Sequence, residues 1–167
     1  IMAGESGARK RRQIGAHYTS ERDIMKLERS LFLDDLKAEL ETAGHSKAKL
    51  EAFQDKLAQL RFLDPACGCG NFLVVTYREL RLLELETLLR LHTAPKKDGQ
   101  ARGIQTVLNI DQYLKVDVDQ MHGIEIEEWP ARIAEVALWL IDHQMNQRAG
   151  EAFGVPVLRL PLKKSAK

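Results

Sequence analysis

The sequence predicts an α/β fold of the doubly wound type, preceded by an α-helical segment. A short strand candidate, Arg61–Asp64, runs into a glycine-rich turn and then into a Leu-rich helix. A second strand candidate, Met121–Ile126, contains an acidic residue and is followed by another helix. A doubly wound domain begins in this order, with a strand, a turn and a helix followed by a second strand and helix. The helix between the strands is needed because parallel strands are joined by a crossover connection.

The composition is that of one ordinary globular domain. The 167 residues are 44% hydrophobic and 29% charged, which suits a single core. No apolar run approaches the roughly 20 residues that cross a bilayer, so no membrane partner is expected. The two cysteines, Cys67 and Cys69, are too few for a zinc site and badly placed for a mutual disulfide. A reducing, cytoplasmic setting is therefore predicted.

Three parts follow one another along the chain. Residues 1–13 are polar and are predicted to be a tail or linker. Residues 14–60 form the helical segment, whose first helix is predicted to begin at a Thr19 or Ser20 cap. Residues 61–167 form the α/β domain. The apolar positions that predict the two helices of the middle part are Ile24, Leu27 and Leu31, then Leu50, Phe53, Leu57 and Leu60.

The α/β part is predicted in more detail from its apolar spacing and its breaks. A helix is expected over Asn71–His92, a loop over 94–103, a short helix at Ile110–Leu114 and a strand at Val157–Leu160. A core-facing stripe is expected on the last helix at Ile133, Val136, Ala137, Leu140 and Ile141. Trp139, Met145 and the Leu-rich helix are expected to be exposed, which predicts self-association.

The glycine-rich turn follows the first strand directly. Gly68 and Gly70 are expected to remove side chains that would block a ligand from the backbone. In dinucleotide enzymes such a turn holds a pyrophosphate, but a carboxylate at Asp64 would repel one. An amino group suits that carboxylate better, which favours the methionine end of S-adenosylmethionine. Cys67 is expected to pack as a small wall residue, although a helix N-terminus can activate a thiol.

An acidic residue, Glu125, stands at the end of the second strand candidate. Residues in this position of a doubly wound fold commonly accept hydrogen bonds from ribose hydroxyls. Its two oxygens match the spacing of a vicinal diol, and Ile126 beside it can cover an adenine face. The histidines His17, His122 and His143 show no metal-ligand spacing, so no metal is expected.

Three strings, Arg12–Ser20, Leu63–Leu73 and Gly123–Leu140, together resemble one class of enzyme. They are similar to class I S-adenosylmethionine-dependent, adenine-specific DNA methyltransferases, and more narrowly to the MmeI-like type II restriction–modification family. The resemblance implies a partial Rossmann-like doubly wound sheet, S-adenosyl-L-methionine as the cofactor and double-stranded DNA as the partner of the whole protein. The residues to which it assigns cofactor contacts are Tyr18, Thr19, Asp64, Ala66, Cys67, Gly68, Gly70, Asn71, Phe72, Glu125 and Ile126.

One family motif is missing from the sequence. The catalytic motif of this class is an Asn or Asp followed by two prolines and an aromatic residue, and none of the five prolines here is adjacent to another. No catalytic residue is therefore assigned, and the catalytic and target-recognition regions are expected to lie C-terminal to this chain. The expected function is the cofactor-binding portion of a DNA methyltransferase, inactive by itself.

Other functions remain open from the sequence. Within the same class they are a type I modification subunit and a phage-defence methyltransferase. Outside it they are a non-catalytic interaction module that keeps a degenerate cofactor fold, and a nicotinamide-dependent oxidoreductase. The acidic Asp64 ahead of the turn, and the lack of a third spaced glycine, argue against the oxidoreductase.

Overall fold

The protein, described by a computed structural model over residues 19–93 and 110–157, consists of helices around a small parallel sheet. The elements in chain order are α1 (Glu21–Glu28), a π-helical turn (Arg29–Leu33), α2 (Asp34–Ala43), α3 (Lys47–Gln59), β1 (Phe62–Asp64), α4 (Asn71–Thr93), two 3-10 turns (Ile110–Gln112 and Val118–Gln120), β2 (Met121–Gly123) and α5 (Glu128–Phe153). In the described part of the chain, no helix is both long enough and apolar enough to cross a membrane.

The predicted elements that fall on described residues are found with shifted ends. Ser20 caps α1, because its hydroxyl oxygen accepts a hydrogen bond from the Asp23 amide at 3.3 Å. The short helix expected at Ile110–Leu114 is the first 3-10 turn, and the Leu-rich helix is α4. The predicted loop at 94–103 and most of the strand expected at Val157–Leu160 lie outside the described residues.

The two strands pair in parallel, with Phe62 opposite Met121 and Asp64 opposite Gly123. The second strand was predicted to run to Ile126, but β2 ends at Gly123. The pairing stops because Pro65, which follows β1, has no amide hydrogen and cannot continue the hydrogen bonding between the strands beyond Asp64. The backbone after β2 therefore bonds to the end of β1 and to the turn.

Helix α4 runs through the centre of the core and packs against α1, α2, α3 and α5. The helical segment and the α/β part share this core. Its buried apolar residues are Leu33, Leu36, Leu40, Ala43, Leu50, Phe53, Leu57, Leu73, Tyr77, Leu80, Leu83, Val116 and Met121. The apolar repeat of α3 is confirmed, since its first three positions are buried and Leu60 ends the helix.

The core-facing stripe predicted for α5 was wrong at three positions. Ile133, Val136 and Leu140 are exposed by 49%, 50% and 58%. The buried face of α5 instead carries Ala134, Asp142, Met145, Asn146, Ala149 and Phe153. Its rotation is set by polar partners on α4, which a search for apolar spacing cannot detect.

The surface expected to drive self-association was also partly wrong. Met145 is 2% exposed, Trp139 is partly buried, and no leucine of the Leu-rich helix is exposed. Large apolar side chains that are exposed on α5, or shortly before it, include Ile126, Trp129, Ile133, Val136 and Leu140. Self-association stays a prediction, and it now depends on this different surface.

A buried polar network joins α4 to α5. Arg81, 2% exposed, donates to the Asp142 carboxylate at 3.2 Å and to the Asn146 side-chain oxygen at 2.8 Å. The hydroxyl of Tyr77 donates to the same carboxylate at 2.6 Å. Glu84 lies 3.6 Å from the guanidinium on its other side. The guanidinium charge is thereby compensated within the core, as a buried charge requires.

We expect Asp142→Ala to destabilise the fold by about 3–5 kcal/mol, because it leaves the Arg81 guanidinium buried with only one of its two carboxylate partners. Urea unfolding followed by circular dichroism measures the loss. The exposed pair between Arg132 and Glu135, 3.3 Å apart, provides the control. Arg132→Ala should change stability by less than about 1 kcal/mol. Equal effects of the two substitutions would contradict the role given to the buried network.

Candidate functional site

The glycine-rich turn connects the end of β1 to the start of α4. The Asp64 carboxylate accepts a hydrogen bond from the Ala66 amide at 3.0 Å, which fixes the chain as it leaves the strand. The Gly70 amide then donates to the Cys67 carbonyl at 2.8 Å. Gly68 and Gly70 have φ of +54° and +80°, a backbone conformation that side-chain-bearing residues rarely adopt. The turn is thus held open by the backbone itself.

Glu125 ties the end of β2 to this turn. One of its carboxylate oxygens accepts a hydrogen bond from the Gly68 amide at 2.9 Å, and the other accepts from the Glu127 amide at 2.9 Å. Each oxygen has two lone pairs, so each can accept a second hydrogen bond from a ligand. Glu125 is therefore a fixed part of the turn rather than a solvated side chain at a strand end.

The cleft beside the turn has a volume of about 830 Å³. Sites for small molecules and cofactors usually measure roughly 300 to 1,000 Å³, so this cleft is large enough for a nucleoside-sized ligand. It brings together nearly all of the predicted site residues that the structure describes. Those on its wall are Thr19, Asp64, Ala66, Cys67, Gly68, Asn71, Phe72, Glu125 and Ile126. Tyr18 lies outside the described residues, and Gly70 is not on the wall.

The cleft is acidic. Four carboxylates, those of Glu28, Asp64, Glu125 and Glu127, lie on its described wall, and no lysine, arginine or histidine does. Like charges repel and a partly desolvated site strengthens the effect, so this wall disfavours a phosphate group. It favours a cationic ligand of nucleoside size.

The apolar side of the cleft comes from α1 and the π-helical turn that follows it. Ile24 is buried in the protein, whereas Leu27 and Leu31 of the same predicted stripe are exposed by 46% and 65%. Both leucines lie on the wall of the cleft, with Ile126 on the wall from the far side of the turn. The cleft therefore combines acidic groups with apolar surface that an aromatic ring can cover.

Gly70 has a different role from the one predicted. A Cβ atom at this position would lie 2.8 Å from the Cβ of Ala134, so the absence of a side chain lets α5 approach the turn. Gly68, in contrast, has no atom within 4 Å of a Cβ placed on it, and it lies on the wall of the cleft. Of the two glycines, only Gly68 leaves space for a ligand.

Cys67 packs as the wall residue that the sequence predicted. A Cβ atom at Gly123 would lie 2.6 Å from its sulfur, so the thiol fills the space beside β2. Burial raises the pKa of the Cys67 thiol, and the carboxylates of Asp64 and Glu125 raise it further. A thiol held neutral in this way is a poor nucleophile. In the described part of the chain, no cluster of His, Cys, Asp and Glu could hold a metal ion.

One residue of the cleft, Glu28, was missed by the sequence analysis. It is 2% exposed, lies on the wall of the cleft and accepts a hydrogen bond from the Thr76 hydroxyl at 2.7 Å. The signal was its position four residues after the buried Ile24, which places both on one face of α1. An acidic residue on a buried helix face is uncommon enough to indicate a site.

Comparison with known proteins identifies the family. Residues 40–167 match the family described as MmeI, DNA-methyltransferase domain. The chain belongs to this family. Its structure is similar to that of the type IIL restriction–modification enzyme MmeI in complex with DNA, with a TM-score of 0.84 and 57% identity, covering 93% of this chain and 20% of that one.

The MmeI family resemblance extends to a further relative. The chain is 38% identical over 138 residues to DNA methyltransferase A of Bacillus subtilis strain 168, which is 82% of this chain and 14% of the relative. The chain thus spans only a small part of the length of the proteins it matches. It is a DNA-methyltransferase domain sequence by family, and the glycine-rich turn and Glu125 both lie inside the matched range.

We expect Gly70→Ala to destabilise the fold by about 1–3 kcal/mol more than Gly154→Ala. Both glycines have a positive φ, so both substitutions carry backbone strain. A Cβ at Gly154 meets nothing within 4 Å, whereas a Cβ at Gly70 would also collide with Ala134. Thermal unfolding of the two variants measures the difference. Equal melting temperatures would show that the contact with Ala134 does not constrain Gly70.

We expect Glu28→Gln to stabilise the protein at neutral pH and not at acidic pH. Burial raises the pKa of Glu28 from its ordinary 4.5 to about 6, Glu79 nearby raises it, and Thr76 and Arg78 lower it. The folded state therefore holds the proton more tightly, and stability is lost as the pH rises from about 4.5 through 6. The gain from the substitution should grow by about 2 kcal/mol between pH 4.5 and pH 7.5.

Urea unfolding at both pH values measures this gain. Glu151→Gln, an exposed carboxylate in the last turn of α5, is the control and should show no such growth. A gain that stays constant with pH would mean that Glu28 does not carry the buried charge.

Proposed function

We propose that this chain is the S-adenosyl-L-methionine-binding portion of a DNA (adenine-N6) methyltransferase of a restriction–modification system. The observation that carries the proposal is the acidic cleft at the glycine-rich turn, in which the predicted cofactor residues meet. A nucleoside with a sulfonium and an ammonium group is the cationic ligand that suits this wall. The DNA in the structure of MmeI supports double-stranded DNA as the partner of the whole protein.

The proposed contacts divide the cofactor between the two strand ends. Asp64 and Thr19, with Tyr18 beside it, hold the methionine end together with Ala66 and Gly68. Glu125 accepts hydrogen bonds from the ribose hydroxyls through the lone pairs that its backbone contacts leave free. Ile126 covers the adenine, and Asn71 and Phe72 line the start of α4. When bound, the cofactor supplies an activated methyl group.

The residues of this chain contribute position rather than proton transfer. They hold the donor in a fixed orientation, so the target amine meets the methyl carbon in line. In the whole protein the target adenine would leave the duplex and enter a pocket beside the cofactor. The Asn or Asp, Pro-Pro and aromatic motif that would bind that base is absent from this sequence, and we propose that the chain alone does not methylate DNA.

We propose that further elements of the whole protein complete the sheet of this chain. The parallel pair of β1 and β2 is the beginning of a Rossmann-like doubly wound sheet, and the exposed Ile133, Val136 and Leu140 of α5 are a face that further elements of such a sheet would cover. The two free cysteines support a cytoplasmic location.

Isothermal titration calorimetry of the chain with S-adenosyl-L-methionine tests the proposal. We expect binding, and we expect Asp64→Asn and Glu125→Gln each to weaken it about tenfold or more, because each removes a charged hydrogen-bond acceptor from the cleft. Glu151→Gln, outside the cleft, is the matched control and should bind as the unaltered chain does. Methyl incorporation into duplex DNA, measured in parallel, should be at background.

Two outcomes would change the assignment. If Asp64→Asn and Glu125→Gln bind the cofactor unchanged, the contacts proposed for them are wrong. If the chain binds no cofactor under any condition, a non-catalytic interaction module becomes the better account of it.

A further inference from the structure

Glu28 lies on the wall of the cleft, and one of its carboxylate oxygens is buried without a hydrogen-bond partner among the described residues. Its carboxylate accepts one hydrogen bond, from the Thr76 hydroxyl at 2.7 Å, through one oxygen. The other oxygen is buried and has no hydrogen-bond partner among the described residues. Both Glu28 and Thr76 lie on the wall of the cleft at the glycine-rich turn.

An unpaired carboxylate oxygen in a protein interior is costly, because the charged group has lost its water and gained no donor. Native structures leave few such groups, and each one calls for an explanation. The neighbouring guanidinium of Arg78 does not supply the missing donor, since it pairs with Glu21 at 2.7 Å and with Glu79 at 3.1 Å. The donor is therefore expected from outside the described protein, and the cleft is where a ligand would bring it.

We propose that Glu28 and Thr76 form a second polar subsite of the cleft, which accepts a hydrogen bond from the primary ammonium group of the bound ligand. This inference rests on the proposed function, in which the ligand carries an amino-acid end. The subsite adds to Asp64 and does not replace it, because an ammonium group has three donors and can bond to more than one carboxylate.

The surrounding wall allows such a contact. The unpaired oxygen is itself buried, so the proposed contact requires the side chains around it to move locally. Leu27 of α1 and Leu31 of the π-helical turn flank Glu28, are 46% and 65% exposed, and are not locked in the core. A charged hydrogen bond formed at this depth is stronger than one at the surface, because less water competes with it.

A cycle of two proteins and two ligands tests the contact. The proteins are the chain and its Glu28→Gln variant. The ligands are S-adenosylhomocysteine and its analogue that lacks the α-amino group, and all four dissociation constants are measured by calorimetry at pH 7.5. Loss of the amino group should weaken binding to the unaltered chain by about tenfold or more. In Glu28→Gln the loss of the amino group should weaken binding by a factor that is about five times smaller, roughly twofold instead of tenfold.

The cycle separates a direct contact from a general effect of the substitution. A substitution that only disturbs the wall weakens both ligands equally and leaves no coupling between Glu28 and the amino group. Glu79→Gln is the matched control, because it removes a nearby buried carboxylate that does not lie on the wall of the cleft. It should show no coupling to the amino group.

The outcomes distinguish this inference from the function on which it rests. If the chain binds both ligands and Glu28→Gln shows no coupling, the subsite is overturned while the cofactor site stands. If the unaltered chain binds neither ligand, the cofactor site itself is overturned and the subsite with it. Coupling at Glu28 and none at Glu79 supports the subsite.

Discussion

The buried guanidinium of Arg81 fixes how the two long helices of this protein meet. It lies in the core beside the carboxylates of Asp142 and Glu84, and it also donates to Asn146, so these contacts hold α5 against α4 in the observed rotation. That rotation places Ala134 against Gly70, where a side chain would not fit. The start of α4 and the start of α5 are thereby held together, and the cleft lies beside them.

The cleft owes its chemistry to two strand ends brought side by side. β1 delivers Asp64 and the glycine-rich turn, and the backbone after β2 delivers Glu125, whose carboxylate accepts a hydrogen bond from the Gly68 amide. In many nucleotide-binding proteins the corresponding turn faces a phosphate group. Here the wall carries carboxylates and no basic side chain among its described residues, so the same backbone geometry serves a ligand of opposite charge.

Much of the fold and most of the candidate site were predictable from the sequence, for a local reason. Gly68 and Asp64 belong to one short string, in which proline and glycine end the strand and an acidic residue precedes the turn. The prediction failed where the answer depended on a distant partner. The apolar residues of α5 pointed to one face as buried, but Asp142 and Asn146 pair with Arg81 some sixty residues earlier and turn the opposite face inward.

The sequence by itself determined the glycine-rich turn, the acidic residue after the second strand and the family of the chain, because each depends on short runs of adjacent residues. Only the tertiary structure decided which glycine faces the cleft and which one lets α5 approach. It also brought Glu28 of α1 beside Thr76 of α4. Packing between elements sets the burial and the hydrogen-bond partners of residues that are far apart in the chain. The spacing of residues along one helix does not show which side chains of another helix will pack against it.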